Sequence, residues 1–350
     1  MDNERRKLLK RTSLFRFVGG AAVAVAVACA AGAATAKSTG SLSGAGSSFV
    51  YPLVSLWIGS YKASSINYNP VGSGAGIAAI SNRQVDFGAS DAPLTTQQSA
   101  ACHGCVQIPW ALSATSIPYK LAGAPYGLRI TGPVLADIFL GKITRWNDSR
   151  LQKLNKGIKL PPTKITPIYR SDGSGTTYNF TEYLSKVSPE FRRKVGKGTQ
   201  VAFPTGVGAA KSSGVASALT RTEGGITYVD VAYSLKSHFK FFKVQNRAKK
   251  FQLPGLRGIS AAADTVKKIP ANNELSIVDP SRSQPSAYPI CTFSYVIVPL
   301  RTAKAAELKS FISWALGTGQ RVSGAQKYLF VPVPKAVEAK AKTTLRRLHR

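Results

Sequence analysis

The sequence is short of acid. Across 350 residues Lys and Arg number 47 against 16 Asp and Glu, for a formal net charge of +31. Such a field raises the local concentration of anions and speeds their capture, and it suits anionic lipid or nucleic acid as well. Cysteine is scarce: four residues are too few for a disulfide scaffold, and a chain of about two typical domain lengths buries its core without one. Histidine is scarcer still, with three residues, none near Ser48, Ser73 or Ser174 in sequence. That lowers the reading as a hydrolase, which needs a nucleophile paired with a base. Beyond residue 36 no run reaches the roughly 18 uninterrupted apolar residues of a membrane span, so a soluble mature protein is expected. No internal repeat is present, and no aromatic residues interleave with a single basic stripe, which argues against nucleic-acid binding.

The first stretch is built differently. Arg5, Arg6, Lys7, Lys10, Arg11 and Arg16 precede an apolar run of small residues from 19 to 36, and Ala34-Thr35-Ala36 supplies the small side chains of a cleavage site. This is the layout of a signal peptide over 1–36, with the mature chain starting near Lys37. RRKLLK at 5–10 also resembles a twin-arginine export signal; ordinary secretion is the favoured reading. Cys29 follows Ala26-Val27-Ala28, where a lipoprotein signal usually carries a larger aliphatic residue, so it is read as discarded with the leader. Processing removes six basic and two acidic residues and leaves +27 of the original +31.

From about residue 44, β-like runs alternate with helical ones. INYNPV (66–71), VDFGA (85–89), VQIPWAL (106–112), ITPIYR (165–170) and SYVIVPL (294–300) read as strands. FVYPLVSLWIGSYK, GPVLADIFLG, YNFTEYLSKV and AAELKSFISWALGTG read as helices. Alternation of this kind predicts α/β domains with largely parallel sheets. The region 244–286, basic and then rich in Ala, Asn, Ser and Pro, predicts surface loops with one helix. The tail Lys335 to Arg350 predicts a solvated terminal helix with Val337, Ala341, Leu345 and Leu348 on one face, docking on anionic lipid being the less favoured alternative.

In α/β sheets, ligands gather where strands end and helix N-termini expose unpaired N–H groups. Three such turns combine Gly with hydroxyl residues: GAGSSF (44–49), GSGAG (72–76) and RSDGSGTT (170–177). Glycine permits close backbone approach, Ser and Thr add donors, and the helix dipole favours an anion. Any one of them alone is an ordinary capped turn; three together point to an oxyanion cradle. The third turn adds Arg170, whose guanidinium forks onto tetrahedral oxyanions. It is not a nucleotide P-loop, because Gly175 stands where that motif needs Lys. Asp91, in VDFGASD, looks misplaced beside an anion. It is explained if the ligand carries a proton, since a carboxylate accepts that O–H and would oppose a fully ionised oxyanion such as sulfate.

At these residues the chain resembles the phosphate-specific substrate-binding proteins of bacterial ABC phosphate transporters. GAGSSFVYPLVSLW, INYNPVGSGAGI, VDFGASDAPL, GPVLADIFLGKITRWND, ITPIYRSDGSGTTYNFTEYLSKVSP and GGITYVDVAYS all resemble family segments, in the family's order. The resemblance implies a two-lobed periplasmic-binding-protein type II fold, with hinged lobes each carrying a mixed, mostly parallel sheet flanked by helices. It implies a first lobe over 40–118 plus 291–350 and a second over 119–290. It implies that Ser48 and the Phe49 N–H donate to phosphate, that Ser73 donates from the second turn, and that Asp91 accepts the phosphate proton. From the other lobe Arg170 pairs with the oxyanion, Asp172 orients Arg170, and Ser174, Gly175 and Thr176 donate from the helix start. Ser48 stands where the family often has Thr. The family further implies an exported monomer, in the periplasm or on the outer face of the cytoplasmic membrane. It would deliver phosphate to ABC permease subunits, with no cofactor and no nucleic-acid partner. A secreted phosphatase using the same cradle is the alternative. Cys102 and Cys105 are expected to pair as a local staple in an exported protein, leaving Cys291 a lone, buried thiol.

Overall fold

The computed structural model describes residues 40–350; the signal-peptide segment and Cys29 lie outside the described residues. Two larger sheets organise the chain. The first has six strands in the order Val229–Asp230, Cys105–Ser116, Cys291–Pro299, Phe87–Ser90, Ser41–Gly46, Ser65–Asn69. The second has five, in the order Lys240–Phe241, Pro118–Tyr119, Gly225–Thr227, Thr166–Arg170, Val207–Ala209. A small third sheet pairs Phe251–Gln252, Lys243–Gln245 and Arg129–Ile130.

Each larger sheet is parallel around one inner strand and antiparallel where the chain passes from one sheet to the other. Ser41–Gly46 runs parallel to both neighbours, and Thr166–Arg170 does likewise. The long strand Cys105–Ser116 pairs antiparallel with Cys291–Pro299 and continues through Ile117 into Pro118–Tyr119 of the second sheet. A second crossing runs beside it: Gly225–Thr227 belongs to the second sheet, and two residues on, Val229–Asp230 pairs antiparallel with Thr115 and Ser116 of the first.

Burial follows position in the sheet. The edge strand Ser65–Asn69 alternates exposed and buried residues, whereas Cys291–Pro299 is buried throughout because helices or strands cover both faces. Aromatic side chains fill the centre of each half: Trp57, Phe87, Trp110 and Phe311 in one, Tyr119, Trp146 and Phe242 in the other.

Two readings of surface segments are corrected. The region 244–286 contains one helix, Leu256–Ala263, yet it is not only surface: Ile259, Ala262, Ile277 and Val278 enter the main hydrophobic cluster. The terminal helix Lys335–Arg346 is not simply solvated. Val337, Ala341, Leu345 and Leu348 are all buried in the core, so the apolar face a lipid surface would need is already covered. Cys102 and Cys105 form a disulfide, and Cys291 is free and buried. Among the described residues, no helix is long and apolar enough to cross a membrane.

Candidate functional site

The three Gly-hydroxyl turns lie at the ends of strands, each leading into a helix. Ser41–Gly46 feeds Ser47, Ser48 and Phe49 ahead of the helix Tyr51–Ser60. Gly72, at φ +100, opens the helix Ser73–Ser81. Ser174 caps the helix Gly175–Val187, its hydroxyl accepting from Thr177 N–H at 3.2 Å. The strand order decides why they meet. Ser41–Gly46 and Thr166–Arg170 each sit inside their own sheet, and both sheets turn their strand ends to the same seam.

There the fit leaves no room for side chains on two glycines. A Cβ on Gly72 would stand 2.4 Å from Asp172 Oδ2, and one on Gly175 would stand 2.7 Å from Asp91 N. Backbone also bonds across the seam, with Gly74 N–H donating to Gly173 O at 2.8 Å.

Asp91 lies at the centre. It is 2 % exposed, and its carboxylate accepts from Ser47 Oγ at 2.6 Å and from Ser294 Oγ at 2.8 Å. Burial pushes its carboxyl up to about 6, against the pull of those two hydroxyls, of Arg170 and of Ser73. Asn179 Nδ2 holds the Asp91 carbonyl and the Gly175 carbonyl together, at 2.9 Å each, across the seam. Ser73 Oγ accepts from Gly175 N–H at 3.1 Å and lies 3.4 Å from Asp91 N.

Arg170 is buried and forked onto Asp172, with Nε to Oδ1 and Nη2 to Oδ2 both at 2.6 Å. Burial pushes the Asp172 carboxyl up, but the hydrogen bonds and charge of Arg170, with the Lys211 N–H, outweigh it and hold the group below its usual range. Lys211 adopts φ +64, an unusual conformation for a side chain with a Cβ, and so points its N–H to Asp172 Oδ1 at 2.9 Å.

The sites expected from sequence thus divide into connected groups. Ser73, Asp91 and Gly175 touch one another. Arg170 and Asp172 are joined, and Gly72 packs against both. Ser48 instead bonds Ser212, Oγ to Oγ at 3.0 Å, and the Phe49 N–H donates to Ser47 Oγ. Thr176 Oγ1 is buried and has no hydrogen-bond partner among the described residues. Among the described residues, Ser48, Ser73 and Ser174 bond to hydroxyl or backbone groups and form no nucleophile–histidine pair. A cleft of about 720 Å³ lined by Leu94, Gln107, Tyr178, Asn272, Glu274 and Arg347 lies off these turns and includes none of the residues expected to bind phosphate.

Several members of the cluster escaped the sequence reading. Ser47, Asn179 and Tyr228, whose hydroxyl accepts from Arg170 N–H at 3.1 Å, lie in motifs already singled out, and spacing alone does not say which hydroxyl or amide points inward. Ser212 and Ser294 come from distant segments. Asp230 is buried at the second crossing, where its Oδ1 accepts from Tyr233 N–H at 3.0 Å and caps the helix Val231–Lys236.

The fold is that of a substrate-binding protein of the PBP superfamily: residues 31–318 match the family model described as a PBP superfamily domain. A relative named phosphate-binding protein PstS, from Xylella fastidiosa, is 41% identical over 309 residues, covering 85% of this chain and 84% of the relative. Another of that name, from Pasteurella multocida, is 35% identical over 307 residues, covering 85% and 87%. The chain belongs to this PstS family of phosphate-binding proteins. Among solved structures, a high-affinity periplasmic phosphate-binding protein with phosphate bound superposes with a TM-score of 0.70, covering 87% of this chain and 93% of that one. At 21% identity that likeness establishes the fold.

Proposed function

We propose that the protein captures inorganic phosphate in the seam between two hinged lobes and delivers it to an ABC importer without turning it over. The observation that carries this reading is Asp91: a buried carboxylate set beside a buried arginine and among convergent hydroxyl and N–H donors. An anion site containing an acceptor makes sense for a ligand that brings its own proton. The lobes would be 40–118 plus 291–350 and 119–290, joined by the strands that cross at Ile117, at Tyr228 and ahead of Cys291. Ser48, the Phe49 N–H, Ser73, Ser174, Gly175 and Thr176 would donate to the phosphate oxygens. Arg170, held by Asp172, would pair with its charge, and Asp91 would accept its proton. The unpartnered Thr176 hydroxyl supports this assignment, since a buried donor at a helix start is costly unless a ligand meets it.

The names of the relatives support phosphate as the solute. An exported protein meeting permease subunits at the membrane fits the same kinship. Titration calorimetry on protein stripped of endogenous ligand tests the reading: tight phosphate binding is expected. Binding of sulfate with none of phosphate would overturn it, and turnover of a chromogenic phosphate ester would favour the phosphatase alternative.

A further inference from the structure

The positive charge of the chain is not spread evenly. Between 236 and 286 ten Lys and Arg stand against three Asp and Glu, and part of that excess converges. The strand Lys243–Gln245 leads into a turn that returns as Phe251–Gln252. Asn246 closes the turn: its N–H donates to Lys250 O at 2.9 Å, its carbonyl accepts from Lys249 N–H at 2.9 Å, and its Oδ1 accepts from Lys250 N–H at 3.1 Å. Asn246 Nδ2 then ties the turn to a second loop, donating to Pro285 O and Ala287 O at 2.9 Å each. Where turn and loop meet, a cleft of about 400 Å³ is lined by Arg247, Lys249, Ser281 and Arg282.

The cations of this cleft are positioned but not neutralised. Asp279 is buried, at φ +56, and its Oδ2 accepts from Arg247 Nε at 2.6 Å. That bond engages Nε alone and leaves both Nη groups without a partner among the described residues. The seam uses the same device, an acid holding an arginine, in Asp172 and Arg170. Lys249 adopts φ +61, a conformation that a residue with a Cβ keeps only where its surroundings hold it. Among the described residues, neither Lys249 Nζ nor the Arg282 guanidinium bonds to a carboxylate, so three cations against Asp279 leave two positive charges unmatched. The strand entering the turn extends the charge. Lys243 stands in register with Arg129 on the neighbouring strand, and like charges side by side repel unless an anion lies over them.

We propose that the cleft is a second anion site, one that takes the phosphate groups of a linear inorganic phosphate polymer. Arg247 presents its Nη pair to one phosphate group, Lys249 and Arg282 meet that group or the next, and the Ser281 hydroxyl donates to an oxygen. Exposed ion pairs are individually weak, so a lone phosphate ion gains little here, whereas a chain that engages several cations at once adds them. The donors come from two segments, and a tetrahedral group offers oxygens to both, while a planar carboxylate presents its two oxygens one way. A cleft admits an extended chain and excludes a flat lipid leaflet. Its lining holds no aromatic side chain for nucleobases to stack on. Held on such a polymer, the protein would sit where cleavage of the chain by water releases the ion its seam collects. Only that consequence rests on the phosphate reading above; the site itself does not.

Fluorescence anisotropy of labelled long-chain polyphosphate tests the site, in buffer saturated with orthophosphate so that the seam is occupied. The wild type is expected to bind the polymer, with an affinity that falls as salt rises because counterions are released. The triple variant Arg247→Gln, Lys249→Gln, Arg282→Gln is expected to bind it about tenfold more weakly, with the slope of log affinity against log salt reduced by about two. Its orthophosphate affinity by calorimetry is expected to stay at the wild-type value. A charge-matched control, Arg321→Gln, Lys327→Gln, Lys335→Gln, changes exposed cations outside the cleft and is expected to bind the polymer nearly as the wild type does. Equal weakening in that control overturns the site in favour of the diffuse field of the whole chain. So does a wild type that binds no polyphosphate, or one that uses the same three cations to prefer polyglutamate or vesicles of anionic lipid. Arg247→Gln leaves the buried Asp279 without its donor. Should the triple variant fold poorly by circular dichroism, Lys249→Gln with Arg282→Gln keeps that bond, and an unchanged polymer affinity in this double variant overturns the proposal equally. Wild-type protein that binds no orthophosphate sinks the earlier reading and leaves this test standing.

Discussion

Replacing Asp91 with asparagine changes hydrogen-bond sense at almost constant volume. In the wild type both carboxylate oxygens accept, from Ser47 at 2.6 Å and Ser294 at 2.8 Å. Those partners are hydroxyls, which reverse their donation when an amide Nδ2 replaces one oxygen, so the protein itself loses little. The ligand is affected more. An oxygen of sulfate that faces Asp91 meets a second acceptor, and a buried pair left unmade costs about 1–3 kcal/mol, more when charged. The amide removes that penalty by donating. The sulfate-to-phosphate ratio of dissociation constants is therefore expected to fall about ten- to a hundredfold in Asp91→Asn, with roughly 1.4 kcal/mol for each factor of ten.

Calorimetry of both anions at pH well above 6, where Asp91 is ionised, reads this directly. Ionic strength must be held fixed, because a chain of net charge +31 attracts every anion in a salt-dependent way. The sign with pH follows from the raised carboxyl. Below about 6 the wild-type group is neutral and itself a donor, so its discrimination is expected to fall as pH drops through that value, while the asparagine variant is insensitive by this route. An unchanged ratio above pH 6 would remove Asp91 from ligand contact and refute the reasoning.

Three further outcomes are expected. Arg170→Ala should weaken phosphate binding by about tenfold or more, since it deletes a buried charge-assisted donor and leaves Asp172 unpaired; calorimetry at fixed salt would show it, and full affinity would exclude Arg170 from the site. Gly175→Ala places a methyl 2.7 Å from Asp91 N, so the helix start must move from the seam and affinity should drop by about tenfold while far-UV dichroism is retained. Replacing both Cys102 and Cys105 with Ala opens a very short loop, which is worth about 2 kcal/mol in denaturant unfolding and should leave phosphate affinity intact; lost affinity would tie that loop to the site.

The local signals in the chain were strong because they are chemical. Glycine before a hydroxyl before a helical run declares a turn that presents donors, whatever surrounds it, and the strand and helix runs around GAGSSF, GSGAG and RSDGSGTT fold as their periodicities say. The apolar face of the terminal helix was legible too, in Val337, Ala341, Leu345 and Leu348. Its destination was not, because periodicity names a face and only packing names what covers it.

The oxyanion character announced by those three turns, Arg170 and Asp91 is thus what the sequence alone determined, since each residue type fixes what it donates, accepts or charges. Tertiary structure decided the rest. Ser294 reaches Asp91 across 203 residues and Ser212 reaches Ser48 across 164, contacts that no local pattern encodes. Asp230 carried no signal in the sequence, and in the fold it caps the helix Val231–Lys236. Only the crossing strand buries it, opposite Thr115 and in the field of Asp91, and so pushes its carboxyl up to about 8, because desolvation and neighbouring charge are properties of a place in the fold and not of a residue.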